Sequence, residues 1–232
     1  MITSRYTYTA TPRAEINGVR HYCLPDGSKV ASVTTILSAT QPPEKKAALQ
    51  QWRDRVGHAK AQEITTQAAG RGTRMHKWLE NYVLSDKLGE PGTNPYSKQS
   101  HGMARQVIDS GLVNVNEYWG VEVPLYYSGL YAGTTDCVGV WNGVPAILDF
   151  KQSNKPKKVE WIDDYFLQLA AYSEAHNNMH GTNINTGVIL MCSPAPSPVE
   201  QPVYQEFTIS GSRFDFYIGK WWDRVEQYYK QH

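Results

Sequence analysis

Cysteine is scarce, with only Cys23, Cys137 and Cys192 in 232 residues, and no C-x-x-C pair occurs. Three scattered thiols point to a reducing compartment, and they cannot supply the four thiolates of a Cys-ligated iron–sulfur cluster. No apolar run approaches the ~18 residues of a membrane-spanning helix. The opening MITSRYTYTATPR has no apolar stretch, so no secretory leader is expected. Excess charge of either sign is also missing: 23 Lys+Arg against 22 Asp+Glu leave +1. That excludes a basic coat protein and an acidic disordered tail, though not a local basic patch. No G-x-x-x-x-G-K-[ST] is present, so ATP hydrolysis through a P-loop is not expected.

Apolar residues are plentiful at 41%, enough for a sizeable core. Residues 17–30 read as a hairpin turning at Pro25-Asp26-Gly27, and Ser32 as an N-cap before Val33-Thr34-Thr35-Ile36-Leu37. From Pro43 the apolar spacing is helical through Trp52 and Val56, and an Ala-rich stretch follows from 58 to 69. Gly70-Arg71-Gly72 is expected to break that stretch, with Thr73 capping a new helix that carries Met75, His76, Leu79, Glu80 and Val83. A Gly/Pro-bearing loop should run to about residue 100, then a helix to Gly111. Beyond it the period falls to two. Val121, Val123 and Leu125 alternate with Glu122 and Pro124, and Tyr131–Trp141 and Val144–Lys151 flank an Asn142-Gly143 hairpin turn. A helix over 163–178, strands over 186–192 and 203–209, and a last amphipathic helix complete the chain. The expected class is α/β, a small mixed β-sheet flanked by helices, with a helical N-terminal half. Three regions follow: a hairpin arm over 1–31, a helical region over 32–112 and a core over 113–232, integrated into one domain.

The segment YAGTTDCVGVWNGVPAILDFKQS carries the chemistry. Asp149 and Lys151 are two apart in a strand and leave the same face. The tight turn can bring Asp136 across to Asp149. Two converging carboxylates repel unless a cation lies between them, and oxygen donors of this type suit Mg²⁺ or Mn²⁺ rather than Zn²⁺. A lysine at the same site can orient water and offset charge on a pentavalent transition state. Lys155, Lys157 and Lys158 follow, and Arg53, Arg55, Arg71, Arg74 and Lys77 accompany the upstream helices. Beside such a site these charges suit a phosphate backbone. Tyr126, Tyr127, Tyr131 and Trp161 are candidates to stack on unpaired bases, with packing in the core the favoured role of each.

Asp136, Asp149-Phe150-Lys151 and then Gln168 and Tyr172 in LQLAAY resemble the PD-(D/E)XK nuclease superfamily. Gly72-Thr73-Arg74-Met75-His76-Lys77-Trp78-Leu79-Glu80 is similar to the helical His motif of its RecB-like branch. More narrowly, Ser32–Leu37, the Trp52 helix, that His motif, Asp136-Cys137-Val138 and Asp149–Ser153 fall in the order seen in the mitochondrial genome maintenance exonucleases and their phage relatives. The likeness runs over roughly residues 20 to 230.

This resemblance implies a restriction-endonuclease-like core. It implies His76, Asp136, Asp149 and the Phe150 backbone carbonyl as metal ligands, Lys151 as the catalytic lysine, and Gln168 and Tyr172 as residues positioning that lysine or the phosphate. Glu80, one turn after His76, would hold a second metal or act through water, and Ser153 would bind phosphate with Lys155, Lys157, Lys158, Arg71, Arg74 and Lys77. The function implied is a DNA exonuclease using one or two Mg²⁺ or Mn²⁺ ions, without an iron–sulfur cluster or ATP, and acting on single strands or free ends. Alternatives are a duplex-end exonuclease of a phage recombination system, a structure-specific endonuclease, or a non-catalytic DNA-binding module. Viral or host replication and recombination proteins are the expected partners, with no membrane. The cytoplasm, of the host cell for a viral protein, is expected ahead of the mitochondrial matrix.

Overall fold

A computed structural model describes residues 2–197 and 199–231. The N-terminal segment forms three strands, β1 (Arg13–Ile16), β2 (Val19–Cys23) and β3 (Lys29–Ser32). Asn17 and Gly18 both take positive φ in the β1–β2 turn, a backbone that Asn and Gly tolerate best. The hairpin at Pro25-Asp26-Gly27 forms as expected, but β1 escaped the sequence reading. Its pattern is half-exposed, and only antiparallel pairing with β2 makes it a strand.

Ser32 caps α1 (Val33–Ala39) through its hydroxyl, which accepts from the Thr35 amide at 2.9 Å. Pro43 opens α2 (Pro43–Val56), a helix with no buried residue. The next helix corrects the sequence reading. Residues 58–85 are one helix, α3 (His58–Ser85), and the Thr73 hydroxyl caps nothing, donating instead to the Ala69 carbonyl one turn back. A mid-helix glycine costs only about 1 kcal/mol, and burial of Met75, Leu79 and Val83 on the far side outweighs two of them. Helix α4 (Pro95–Ser110) likewise starts earlier than expected, because the Asn94 side chain accepts from the Tyr96 and Ser97 amides.

Then come β4 (Val115–Tyr127), β5 (Tyr131–Trp141), β6 (Val144–Gln152), α5 (Asp163–His180), β7 (Thr186–Ser193), β8 (Val203–Ser210) and α6 (Gly211–Gln231). All eight strands join one mixed sheet, larger than the small sheet expected. Strand β7 is buried throughout and shows why the molecule has three layers. Its Val188, Leu190 and Cys192 join the core under α3 and α4, while Ile189 and Met191 join the core under α1, α5 and α6. In α6, Phe214, Tyr217, Trp221, Val225 and Tyr228 recur at helical spacing and close the second core. No helix among the described residues is long and apolar enough to cross a membrane.

The pairing of β5 positions the functional groups. One edge runs along β4 for its whole length. The opposite edge is shared: β3 pairs in parallel with Tyr131 and Ala132, and β6 pairs antiparallel from Cys137 to Trp141. Residues 133–136 therefore have no strand partner on that edge, and the sheet splits there. The expected arm over 1–31 is thus part of the same sheet, lying on one side of the split.

Candidate active site

Asp136 is the last residue of the split before β6 pairing begins. Its carboxylate does what a strand would otherwise do, accepting the Phe150 amide proton at 2.6 Å. Its other oxygen faces Nδ1 of His76 at 3.3 Å, so α3 reaches the sheet at this point. Asp149, 3% exposed, holds the Lys151 ammonium at 2.5 Å, with both side chains leaving the same face of β6. The Lys151 Nζ also lies 5.2 Å from the centre of the Tyr165 ring on α5. Tyr172, two turns later, is buried against Gly133: a Cβ there would lie 2.8 Å from the phenol ring. Glycine at 133 is what lets the phenol enter the split. Gln168 lies between Tyr165 and Tyr172 at helical spacing and is half-buried.

The charges are mutually dependent. Burial raises the Asp149 carboxyl from 3.8 to about 6, with Asp136 adding repulsion and Lys151 opposing it. Burial also disfavours the Asp136 carboxylate, but His76, Lys151 and the Phe150 amide together hold it below the ordinary value. For Lys151, the two aspartates outweigh burial and hold the ammonium protonated. For His76, Asp136 outweighs burial and raises the pKa above 6.5.

Sequence reasoning missed one acidic group here. Glu122, His76 and Asp136 each offer a ligand atom, and all three atoms lie within 4.8 Å of one another. Alternation made Glu122 an ordinary outward residue of a regular strand. In fact β4 slips register between Tyr118 and Gly120, and Glu122 has φ of +51°, a strained conformation for a residue with a side chain. His76 and Glu122, together with Arg13, Thr73, Lys77 and Glu80, line a cleft of about 490 Å³. Two carboxylates and an imidazole, with Asp149 close behind, fit a hard divalent cation of the Mg²⁺ or Mn²⁺ type.

The remaining sequence candidates divide. Glu80 lines the cleft but is engaged by Lys77 at 2.9 Å. The Ser153 hydroxyl donates to the Lys155 carbonyl at 2.7 Å, so it holds the loop after β6. That loop is clamped to β8, where the Gln205 amide bonds both the nitrogen and the carbonyl of Lys157. Lys155 and Lys158 are exposed, and Arg71 reaches from α3 to the Asn154 side chain on the same loop. Arg53 and Arg55 lie on the exposed helix α2. Of the four aromatics, Tyr131 is wholly buried and donates to the Ala171 carbonyl, the core role favoured for it over stacking. Tyr127 packs on Trp222, Tyr126 packs beside Tyr22, and Trp161 is 56% exposed.

A mixed sheet between helical layers, split where Asp136, Asp149 and Lys151 converge, is consistent with a restriction-endonuclease-like core. No protein-family model matches the chain. It is 28% identical over 209 residues to mitochondrial genome maintenance exonuclease 1 of Mus musculus, covering 87% of this chain and 59% of that protein. The same-named protein of Xenopus tropicalis is 29% identical over 212 residues, at 87% and 58%. That of Homo sapiens is 27% identical over 209, at 86% and 58%. The chain thus spans just under three-fifths of the length of these curated relatives. A candidate exonuclease from Eubacterium rectale shares the fold, with a TM-score of 0.50 at 14% identity over 71% of this chain and 65% of that one.

Proposed function

We infer that this chain is a divalent-cation-dependent DNA exonuclease that prefers single-stranded ends. The carrying observation is the split in the sheet, where a lysine and two aspartates of unequal proton affinity meet an imidazole and a strained glutamate. The exonucleases to which the chain is similar support the exonuclease part of this reading.

His76, Asp136, Asp149 and Glu122 would hold the cation, with the Phe150 carbonyl as a further candidate. Bound there, a divalent cation supplies Lewis-acid activation and offsets charge on the attacked phosphate. Lys151, kept protonated by its carboxylate neighbours, serves as a donor and not as a base. It orients the attacking water or a phosphate oxygen and stabilises the negative charge that builds up there. Tyr165 covers the ammonium, and Tyr172 and Gln168 fix the α5 wall behind it. Lys77, Lys155, Lys157, Lys158, Arg71 and Arg74 would receive neighbouring phosphates. The Arg71–Asn154 bond, which ties α3 to the loop after β6 beside the cleft, favours a narrow substrate.

Cleavage of end-labelled single-stranded and duplex DNA with Mg²⁺, Mn²⁺ or EDTA tests the reading. The expected result is cation-dependent loss of the single strand, an intact covalently closed single-stranded circle, and no cutting by Asp149→Ala or Lys151→Ala. Cutting of the circle overturns exonuclease action, and equal rates on blunt duplex overturn the strand preference.

A further inference from the structure

A second cleft lies on α3, on a helical face adjoining the catalytic one. It encloses about 460 Å³ between α3 and α4 and is lined by Gln67, Arg71, Arg74, Tyr96 and Gln99. That volume is within the ~300–1,000 Å³ range of small-ligand sites. Its charge is one-sided. Arg71 and Arg74 sit three residues apart, so their side chains leave the helix together, and no carboxylate lines the cleft. Among the described residues neither guanidinium forms an ion pair, and the Nε atom of each is buried without a hydrogen-bond partner. Two neighbouring like charges with donors to spare call for an anion.

The other wall calls for a flat, apolar group. Tyr96 is 63% exposed, an unusual exposure for an aromatic ring beside a cleft. Its ring faces the Arg74 guanidinium, whose carbon is 5.6 Å from the ring centre. Asn94 fixes this first turn of α4 by accepting the Tyr96 amide at 2.9 Å, so the ring is presented from ordered backbone.

Resting on the exonuclease reading above, we propose that this cleft is a nucleotide subsite: it takes one unpaired nucleotide of the substrate strand, its base stacked on Tyr96 and its phosphate between Arg71 and Arg74. Gly72 and Thr73, interleaved with these arginines, line the catalytic cleft, so the strand passes along α3 from one cleft to the other. A base drawn between α3 and α4 onto the Tyr96 face turned away from the Arg74 guanidinium has left its duplex stack. The subsite therefore selects single strands ahead of the cutting site.

The test is binding of a fluorescent oligodeoxythymidine to the full chain in EDTA, where no cutting occurs. Tyr96→Leu should weaken binding by about tenfold, as expected for loss of one base–aromatic stack, and Tyr96→Phe should restore it. An oligomer abasic throughout should bind wild type and Tyr96→Leu alike. Arg74→Gln should lower the slope of log K against log[salt] by about 0.7, the value for one single-strand phosphate. Melting temperatures of the variants should match wild type, since Tyr96 is largely exposed. Unchanged oligothymidine affinity in Tyr96→Leu, or equal weakening on the abasic strand, overturns the subsite while wild-type binding and cutting still stand. Failure of the wild-type chain to bind or cut DNA at all overturns the exonuclease reading instead.

Discussion

Acidification from pH 8 to pH 5 should loosen a bound divalent cation by at least tenfold, and Asp149 sets that figure. The cation takes the carboxylate, so a proton on Asp149 must leave before binding. Burial raises this carboxyl to about 6, against an ordinary value of 3.8. At pH 8 the group is ionised and binding is unhindered; at pH 5 only about one molecule in eleven is ionised, a penalty of about 1.4 kcal/mol. A carboxyl left at 3.8 would lose only about 6% of its affinity over the same range. His76 adds in the same direction, because Asp136 holds its imidazolium above 6.5 and that proton too must go. Asp136 adds nothing, since its neighbours keep it ionised throughout. Isothermal titration of Mn²⁺ into the metal-free chain at pH 5, 6 and 8, in buffers of different ionisation enthalpy, measures both affinity and proton release. Affinity constant within twofold across that range, with no proton released at pH 6, would refute the assignment of Asp149 as a ligand. Asp149→Asn should bind more weakly at pH 8 and keep only the pH dependence belonging to His76.

Two further outcomes follow from the packing. Gly139→Ala would place a Cβ 2.3 Å from the Glu117 carbonyl oxygen, a backbone atom at the β4 irregularity, so the strands must separate. The expected loss is about 3 kcal/mol, or about 10 °C in Tm, read by thermal melting. His176 is wholly buried, its Nδ1 bonded to the Thr182 hydroxyl, and burial pushes its pKa down to about 3. The unfolded chain therefore binds this proton first, and the contribution to stability is lost as pH falls below 6.5. Urea midpoints at pH 7 and pH 5 should drop less for His176→Gln than for wild type.

Strand β5 was legible to the residue because both ends are punctuated chemically, by the turn at Gly129 and by Asn142-Gly143. The same turn fixed the relation of Asp136 to Asp149: counting outward from a two-residue hairpin places them opposite each other, and alternation puts Lys151 beside Asp149. What could not be read depends on contacts between distant segments. The break assigned to Gly70 and Gly72 weighed local propensity alone, whereas α3 is held by Met75, Leu79 and Val83 packing under the sheet. The split in the sheet exists because β3 and β6 share one edge of β5, a pairing between residues about a hundred positions apart that no local pattern encodes. Glu122 went unseen for a related reason. A period-two reading assumes a regular strand, and one register slip re-aims every side chain beyond it. Gly120 was the available signal: a Cβ there would meet Val123 at 2.6 Å, so the slip needs glycine at that position. A glycine two residues before a carboxylate, within an otherwise alternating strand, marks a place where the chain has given up regular pairing to turn that carboxylate toward the cleft.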